Sequence, residues 1–413
     1  MAEIKDFKRN QFLIKGNRHK KTTTADESLK DNKSLDNMLA RHRQLKLYTV
    51  LAVLALVGFF LLCAYFNWKN IVYTDYEVVQ EHEWVRADDT KCLNLDGTLF
   101  SYSKDGMNCT DTRGNVIWNQ TYEMQNPIVR TKKKTVAVGD YNGRSIYVAN
   151  TQGNIGYIDT TMPIRDFCVS SNGIVAVILD NAPSTVICLY DGARGEVLVD
   201  FMTTMSKSGY PIAVDISDNG TQLAVSYIKA EKGEVYSSIG FYNFSAVGQN
   251  YTDNLVGGYG YSDAVVPLVH FMDNDTVFAV ADNRIMFFRG RQKPESLGET
   301  IISEEIQSVF YDESHIGLVF FNSSGDTTYR MEVYDTNAKK VNELFFDMEY
   351  TDILFESIGI VIHDDSGCIL YNWEGKLKFE GDFREYISCL IPSGNIAKYT
   401  IVTEDGIQVI ELH

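Results

Sequence analysis

The sequence lacks the short motifs that mark the common classes of enzyme active site. It contains no phosphate-binding loop, no G-x-S-x-G, no H-E-x-x-H and no C-x-x-C. Each of these motifs brings a nucleophile, a base, a metal or a phosphate within reach of its partners. Their absence argues against the corresponding hydrolases and redox enzymes. The acidic turns also lack the alternating D-x-D-x-D-G spacing of a calcium loop. We therefore predict no catalytic residue, no metal site and no cofactor.

Basic residues are scarce over most of the chain. The 413 residues include 38 Lys and Arg against 55 Asp and Glu, and 12 of those 38 cations lie in residues 1–46 with only six carboxylates. The first segment thus carries +6, whereas the remaining 26 cations and 49 carboxylates give −23. A strongly acidic surface repels phosphate backbones and anionic lipid. The composition therefore predicts no nucleic-acid partner.

Charge and proline are both absent from Leu47 to Phe66, a run of twenty residues that reads LYTVLAVLALVGFFLLCAYF. At about 1.5 Å of rise per residue, such a helix spans the hydrocarbon layer of about 30 Å. The run is longer than the apolar core of a signal peptide, and 46 residues precede it. Tyr48, Tyr65 and Trp68 lie at its ends, where aromatic rings favour the headgroup level. We interpret 47–66 as an uncleaved transmembrane helix that makes the protein an integral, single-pass membrane protein.

The charge difference predicts the orientation of this anchor. Cytoplasmic flanks of membrane helices are enriched in Lys and Arg, and Arg41, Arg43 and Lys46 lie immediately before the run. We expect a plasma-membrane protein with residues 1–46 as a basic, largely disordered cytosolic tail. Within that tail, residues 28–46 show a weak helical pattern that continues into the membrane helix. Residues 67–413 are then extracytoplasmic.

Amphipathic helices of usable length are absent after Trp68. The chain instead shows short runs rich in Val, Ile, Tyr and Phe that Gly, Asn, Asp and Ser turns separate. That pattern is typical of an all-β domain built from hairpins. The runs also recur, because a strand that ends in apolar residues and then a polar one returns at intervals of 37 to 52 residues. Its ends lie at Asp111, Asn150, Asp191, Asn243, Arg289, Asp335, Asn372 and Glu411. Repeats of about 40 residues indicate a β-propeller.

A finer signature follows four of these strand ends: a polar residue, a glycine three or four positions later, and a large side chain four positions after the glycine. This signature predicts a tight turn between the third and outermost strands of a blade, with glycine at positive φ and the Asx side chain capping the turn. We expect the large residue to pack between blades. The signature residues are Asp111, Gly114 and Trp118; Asn150, Gly153 and Tyr157; Asp191 and Gly195, which Val199 follows; and Asn372, Gly375 and Phe379.

The segment CTDTRGNVIW resembles the D-x-x-G-x-x-x-W repeat of the PQQ-like β-propellers, and the whole of residues 70–413 resembles PQQ-like and WD40-like propellers in architecture. The chain also resembles uncharacterised Gram-positive membrane proteins with an external propeller. Quinoprotein dehydrogenases of the first family use an adjacent Cys-Cys pair, which this sequence lacks. The resemblance therefore implies the fold and not the enzyme.

Strand counting favours eight blades. After Tyr386 the chain offers three strands, and a blade needs four. The first apolar run after the anchor, Ile71 to Val79, is able to supply the fourth beside Gly406 to Leu412. Seven blades is the alternative, if the long repeat from Pro211 to Asp263 is irregular.

Six cysteines lie after the anchor, at positions 92, 109, 168, 188, 368 and 389. Those in one blade are predicted on first and third strands, about 9 to 10 Å apart, too far for a disulfide within the blade. We interpret them as small buried apolar residues, with oxidised pairs between blades as the alternative.

Two classes of function agree with these observations. The first is a non-catalytic binding or scaffold module at the cell envelope, with a protein or peptide partner on the propeller. The second is an extracellular carboxylate-dependent hydrolase or lyase, which predicts inward Asp, Glu, His or Arg at one end of the channel. The first explains both the missing motifs and the retained anchor.

Overall fold

The computed structural model describes residues 25–86, 89–231, 233–323 and 325–413. The described chain forms a helical unit that ends at Ile71 and a β-sheet unit from Val72 to His413. The tail, residues 1–46, is predicted to be largely disordered. Its first 24 residues lie outside the part of the chain that the structure describes. Residues 25–46 are helical, because helix α1 spans Ala25–Lys69.

One helix in the described residues is long and apolar enough to cross a membrane. The qualifying stretch is Arg41–Cys63, 23 residues within α1. It overlaps the predicted run but begins six residues earlier.

The β-sheet unit is an eight-bladed propeller of four-stranded antiparallel sheets. Blade 1 consists of β2 (Lys91–Leu95), β3 (Thr98–Tyr102), β4 (Gly106–Thr110) and β5 (Val116–Thr121). Blade 2 consists of β6 (Pro127–Lys132), β7 (Thr135–Asp140), β8 (Ser145–Asn150) and β9 (Gly153–Asp159). Blade 3 consists of β10 (Ile164–Val169), β11 (Ile174–Asn181), β12 (Ser184–Asp191) and β13 (Glu196–Thr204). Blade 4 consists of β14 (Tyr210–Ile216), β15 (Gln222–Glu231), β16 (Glu234–Asn243) and β17 (Leu255–Tyr261).

The second half of the ring repeats this arrangement. Blade 5 consists of β18 (Leu268–Phe271), β19 (Thr276–Val280), β20 (Arg284–Arg289) and β21 (Glu295–Ile301). Blade 6 consists of β22 (Ser308–Tyr311), β23 (His315–Phe321), β24 (Tyr329–Asp335) and β25 (Lys340–Phe346). Blade 7 consists of β26 (Asp352–Glu356), β27 (Gly359–His363), β28 (Gly367–Tyr371) and β29 (Leu377–Asp382). Blade 8 consists of β30 (Ile387–Asn395), β31 (Lys398–Thr403), β32 (Gly406–Leu412) and, as its outermost strand, β1 (Tyr76–Glu83).

The long repeat forms a regular blade, so the seven-blade alternative is wrong. Its extra residues lie in the ten-residue strands β15 and β16 and in two short 3-10 turns, Gly248–Asn250 and Thr252–Asn254. All four of its strands still pair in order.

The predicted closure of the ring by the first strand is confirmed. Strand β1 pairs antiparallel with β32, from Tyr76 opposite Leu412 to Glu83 opposite Gly406. The strand begins at Tyr76 and not at Ile71 because its pairing with β32 starts opposite Leu412, the last residue of that strand.

Second strands are among the most buried strands of the ring. All five residues of β19 are buried, as are all five of β27, whereas the outermost strand β5 is mostly exposed. A strand covered on both faces by neighbouring blades reads as a continuous apolar run. The buried apolar residues accordingly form eight clusters, each lying between two neighbouring blades.

Glycine is required sterically in the turn between β12 and β13. Gly195 has φ +70°, and a Cβ there lies 2.6 Å from the carbonyl oxygen of Tyr157 in blade 2. Gly97, in the turn between β2 and β3, has φ +80° and nothing within 4 Å of its Cβ position. We expect Gly195→Ala to lower the free energy of unfolding by about 2 to 4 kcal/mol and Gly97→Ala by only about 1 kcal/mol, since both acquire the left-handed strain but only the first clashes. Thermal unfolding of both variants measures the difference; equal losses would contradict the close approach of blades 2 and 3.

Candidate binding site in the propeller channel

The first strand of each blade lies at the centre of the ring. First strands of neighbouring blades contact one another, as β10 and β18 both contact β14, so these strands surround a channel. Five of them, β6, β10, β14, β18 and β22, line a cavity of about 460 Å³. We call this cavity the channel pocket. Its polar lining residues are Arg130, Thr131, Asp166, Cys168, Asp215, His270 and Tyr311.

Lysine side chains from blade 2 cross the channel beside this pocket. Lys132 Nζ lies 3.4 Å from Asp215 Oδ2 in blade 4 and donates a hydrogen bond to the carbonyl oxygen of Phe271 in blade 5. Lys133 Nζ lies 2.6 Å from Asp218 Oδ2 and 3.8 Å from Glu313 Oε2 in blade 6. Blades 2 and 6 are opposite each other in a ring of eight. The residues Lys132, Lys133, Asp215, Asp218 and Glu313 therefore bridge the channel, and we call them the channel floor.

Three charges of the floor, on Lys132, Asp215 and Asp218, are buried and mutually paired, whereas the side chains of Lys133 and Glu313 are 41% and 61% exposed. The side chains of Lys132 and Asp215 are only 6% and 10% exposed. Burial by itself raises the pKa of Asp215, but Lys132 and His270 outweigh burial and hold that pKa well below its usual range. Asp215 Oδ2 also accepts a hydrogen bond of 2.7 Å from the backbone N–H of Phe271. The carboxylate is thus ionised and fixed in position.

His270 lies between the floor and the pocket. Its Nδ1 is 3.0 Å from Asp215 Oδ2, and its ring centroid is 4.3 Å from that of Tyr311. Burial lowers the pKa of His270, although Asp215 opposes this shift, so the imidazole is neutral at pH 7 and donates through Nδ1. Among the described residues, none bonds to its Nε2. That nitrogen is available to a ligand as an acceptor.

Arg130 and Tyr311 supply donors to the same pocket. Arg130 bonds Asp166 Oδ1 at 2.8 Å and the carbonyl oxygen of Val129 at 3.1 Å, and 46% of its side chain remains exposed. Burial raises the pKa of Tyr311 to about 12, so its hydroxyl stays protonated. In the part of the chain that the structure describes, this hydroxyl has no hydrogen-bond partner. The pocket therefore offers both donors and an acceptor beside apolar walls.

A second cavity continues from the pocket along β6. It is a groove of about 620 Å³, and Pro127 and Ile128 line it, whereas the next three residues of β6 line the channel pocket. Its other walls come from residues before blade 1 and from turns of blades 1 and 2. These residues are Arg86, Asp89, Thr90, Lys91, Tyr102, Ser103, Lys104, Gln125, Asn126 and Tyr141. The groove lies at the end of the strands opposite the floor, since it includes the connection between blades 1 and 2.

The turn residues singled out from the sequence lie outside the channel. Each turn joins the third and outermost strands of its own blade, and its Asx Oδ1 accepts backbone N–H groups. Asp111 accepts from Arg113 and Asn115, and Asn150 accepts from Gln152 and Gly153. Asp191 accepts from Ala193 and Arg194, and Asn372 accepts from Glu374 and Lys376. The four glycines have positive φ: Gly114 +83°, Gly153 +151°, Gly195 +70° and Gly375 +74°.

The large residues of this signature differ in their surroundings. Trp118 packs against the cluster between blades 1 and 2, and Phe379 is buried in the cluster between blades 7 and 8. Tyr157 is 43% exposed and contacts Tyr147 of its own blade, with ring centroids 4.9 Å apart. These residues support the blades and form no common site.

One further turn of this type was missed because alanine occupies the glycine position. Asp335 Oδ1 accepts hydrogen bonds from the backbone N–H groups of Asn337 and Lys339, and Ala338 has φ +62°. Allowing alanine at the glycine position, and asparagine (Asn342) at the position of the large side chain, would have found it.

The strained alanine gives a second prediction. Ala338→Gly is expected to raise the free energy of unfolding by about 0.5 to 1 kcal/mol, because it removes the left-handed penalty. Ala193→Gly, in the equivalent turn of blade 3 but without positive φ, is the control and is expected to lose up to about 1 kcal/mol. Thermal unfolding of both measures the signs, and a loss for Ala338→Gly would show that this residue is unstrained.

The cysteines carry free thiols. Five are buried, Cys92 is half-buried and Cys63 is exposed on α1. Cys92 and Cys389 lie in the same cluster between blades 1 and 8. Among the described residues, no group of three or more His, Cys, Asp or Glu side chains is arranged to hold a metal ion.

Comparison with solved structures shows the same architecture. Sqt1 of Chaetomium thermophilum, bound to the N-terminus of ribosomal protein L10, matches with TM-score 0.51 and 11% identity over 82% of this chain and all of that chain. The Dos1 propeller matches with TM-score 0.50 and 10% identity over 83% of this chain and 95% of its own. BamB of Moraxella catarrhalis gives TM-score 0.47 and 12% identity over 82% and 100%. At these identities the likeness shows the fold alone.

A search of curated proteins returns no significant match. The sequence model of one family does match, and it covers residues 69–412, which include all 32 strands. The chain therefore belongs to the family of unknown function DUF5711.

Proposed function

We propose that this protein is a non-catalytic binding or scaffold module of the cell envelope, which receives a segment of a protein partner in its channel pocket. The observation that carries the proposal is the pocket itself, a preformed cavity of about 460 Å³ beside a bridged channel. Ligand sites are concave, largely preformed and mostly of about 300 to 1,000 Å³. This cavity has the size for a short stretch of polypeptide.

The state of the charged groups favours binding over chemistry. Lys132, Asp215 and Asp218 are buried and paired with one another, and Arg130 is paired with Asp166. Groups paired in this way are held rigidly, whereas a carboxyl that acts as a general acid must be protonated near neutral pH. Asp215 does not meet that need, because its pKa is held low.

The fold itself agrees with a peptide partner. Sqt1, whose architecture this chain shares, was solved with the N-terminus of another protein bound to it. Propellers present a rigid ring of loops around a central depression, which suits the capture of a partner segment.

Anchoring is part of the proposal. Helix α1 contains the apolar stretch Arg41–Cys63, and the basic flank of +6 before residue 47 favours a cytosolic N-terminus. The propeller then lies outside the plasma membrane of its cell. A single accessible cysteine is placed at position 34 or 386, in a background where Cys63 and the half-buried Cys92 are replaced and the other five cysteines are buried. Labelling of intact cells with a membrane-impermeant maleimide then tests this orientation, and we expect labelling at 386 and not at 34. Labelling at 34 and not at 386 would reverse it.

Site-specific photo-crosslinking tests the binding function. Benzoylphenylalanine is placed at Thr131, which lines the channel pocket, and as a matched control at Val341, which is 43% exposed on the outermost strand β25. The intact protein is irradiated in its own membranes. We expect a discrete adduct from position 131 and none from 341. Equal adducts, or none from 131, would contradict a channel-borne partner.

A second candidate, the hydrolase or lyase, rests on one observation. His270 is a neutral imidazole that Asp215 orients through Nδ1 and that leaves Nε2 unbonded by any described residue, an arrangement able to serve as a general base. The partner captured at position 131 decides between the two functions. If the parent protein cleaves this partner and the His270→Asn variant does not, the protein is an enzyme. If the partner stays intact with the parent and with the variant, the protein is a binding module.

A further inference from the structure

The groove beside blade 1 is basic in a domain that is otherwise strongly acidic. Its lining includes the cations Arg86, Lys91 and Lys104 and one carboxylate, Asp89. We call this surface the basic groove. The residues after the anchor carry a net charge of −23. An excess of cations in one concave surface is therefore a local feature and does not follow from the composition.

These cations have no carboxylate partner in the described chain. Lys132, Lys133, Lys134 and Arg165 each lie within 4.0 Å of an Asp oxygen, whereas no such pair involves Arg86, Lys91 or Lys104 among the described residues. Within the described residues, no salt bridge neutralises their charge. An anionic ligand in the groove would meet three cations at once.

Arg130 extends this cationic surface into the channel. A guanidinium has five N–H donors, and the two bonds of Arg130 to Val129 and Asp166 leave the others for a ligand. Burial raises the pKa of both Tyr102 in the groove and Tyr311 in the pocket, and the charge of Arg130 opposes this rise at both. Arg130 lines the channel pocket only two residues after Ile128, which lines the groove.

We propose that the basic groove and Arg130 bind an acidic, extended segment of the partner protein, whose end or turn enters the channel pocket. The inference rests on the proposed function and names the chemistry of its partner. Carboxylates of the segment pair with Arg86, Lys91 and Lys104, and one further carboxylate accepts from Arg130.

The shape of the site favours a peptide over an anionic polymer. The channel floor bridges the ring through Lys133 and Glu313, so a continuous strand cannot thread the channel, whereas a chain end or a tight turn fits a closed pocket. Gln125 and Asn126 also line the groove, and primary amides pair with peptide N–H and C=O groups.

Peptides of matched sequence test the proposal on the intact protein in detergent. The probes are fluorescein-labelled octapeptides of alternating Glu and Ser, and of alternating Gln and Ser. Fluorescence anisotropy is recorded at about 50 and 300 mM NaCl. We expect the Glu peptide to bind about tenfold tighter at low salt and to lose most of that advantage at high salt, because exposed charges are screened.

Two sets of variants locate the binding. The triple variant R86Q/K91Q/K104Q, and separately R130Q, are expected to reduce binding of the Glu peptide to the level of the Gln peptide. The control R113Q/K293Q/K339Q removes three exposed cations from turns at the opposite face and is expected to bind as the parent does. All these variants change exposed or half-exposed side chains, and an unchanged thermal midpoint verifies folding.

The outcomes separate this inference from the proposed function. Equal binding of the two peptides, or loss of binding only in the control variant, overturns the acidic preference. Inorganic polyphosphate that binds the groove when the Glu peptide does not overturns it in favour of a phosphate polymer. If the partner crosslinked at position 131 contacts the propeller through a segment without acidic residues, the proposed function is supported and only this inference is overturned.

Discussion

Lys132→Met is expected to lower the free energy of unfolding by about 3 to 5 kcal/mol, because it leaves Asp215 buried without a cationic partner and Asp218 paired with Lys133 alone. Lys132 Nζ lies 3.4 Å from Asp215 Oδ2 and 4.0 Å from Asp218 Oδ1, and it also donates to Phe271. Removing one member of a buried pair costs more than removing an exposed pair, since the remaining charge cannot be rehydrated. The variant also removes a bond that joins blades 2, 4 and 5.

Thermal unfolding of the intact protein in detergent measures this loss. Lys134→Met is the matched control, because Lys134 pairs with Asp96 at 3.1 Å but is 68% exposed. Exposed pairs contribute about 0 to 1 kcal/mol. The double variant K132M/D215N is expected to recover part of the stability. If Lys132→Met had the same thermal midpoint as Lys134→Met, the floor would not hold the ring together.

The loss depends on pH in a defined direction. In the parent protein the pKa of Asp215 is depressed, chiefly by Lys132 acting against burial. Its contribution to stability is therefore present above the unfolded pKa of about 3.9 and is lost as the pH falls through the lower folded value. Without Lys132, burial is opposed only by His270 and the backbone N–H of Phe271, so the pKa of Asp215 rises from its depressed value. The difference between the two proteins should thus be largest at pH 7 and shrink towards pH 4; a constant difference would assign it to packing.

The number of blades was predictable from the sequence because each repeat carries its own local signals. The turn at Asp111 and Gly114 depends only on residues within five positions, namely an Asx side chain that accepts nearby N–H groups and a glycine at positive φ. The second strands are equally easy to recognise in the sequence, since burial on both faces requires an unbroken apolar run such as TVFAV in β19. Local patterns of this kind fix the fold class and the repeat.

The channel was not predictable in the same way. Lys132 and Asp215 are 83 residues apart and meet only because blades 2 and 4 lie on the same ring. His270 belongs to no motif in the sequence, and its role as a partner of Asp215 depends on the placement of blade 5. Inward Asp, His and Arg side chains were expected only as one consequence of an enzyme, and the structure places them in a paired arrangement. Their positions follow from closure of the ring and not from any local pattern.

Closure of the ring gives the other large effect. Replacing residues 76–83 with a flexible segment of Gly and Ser is expected to open blade 8, because β1 supplies its outermost strand from the opposite end of the propeller sequence. The change removes the whole pairing with β32 and exposes a strand in which all residues except Glu411 are buried. Tyr76 is 4% exposed, and its hydroxyl accepts a hydrogen bond of 2.7 Å from the backbone N–H of Arg384.

The measurement combines thermal unfolding with limited proteolysis of the intact protein. We expect a large fall in the thermal midpoint and new cleavage within residues 387–412. Tyr76→Ala keeps the chain length and is expected to lose about 3 to 5 kcal/mol, as large-to-small changes in packed cores do. Val85→Ala, at a residue that is 88% exposed two positions after β1, is the control and should change little. If the Gly and Ser variant melted with the parent and resisted protease, then blade 8 would be stable with three strands and β1 would not hold the ring closed.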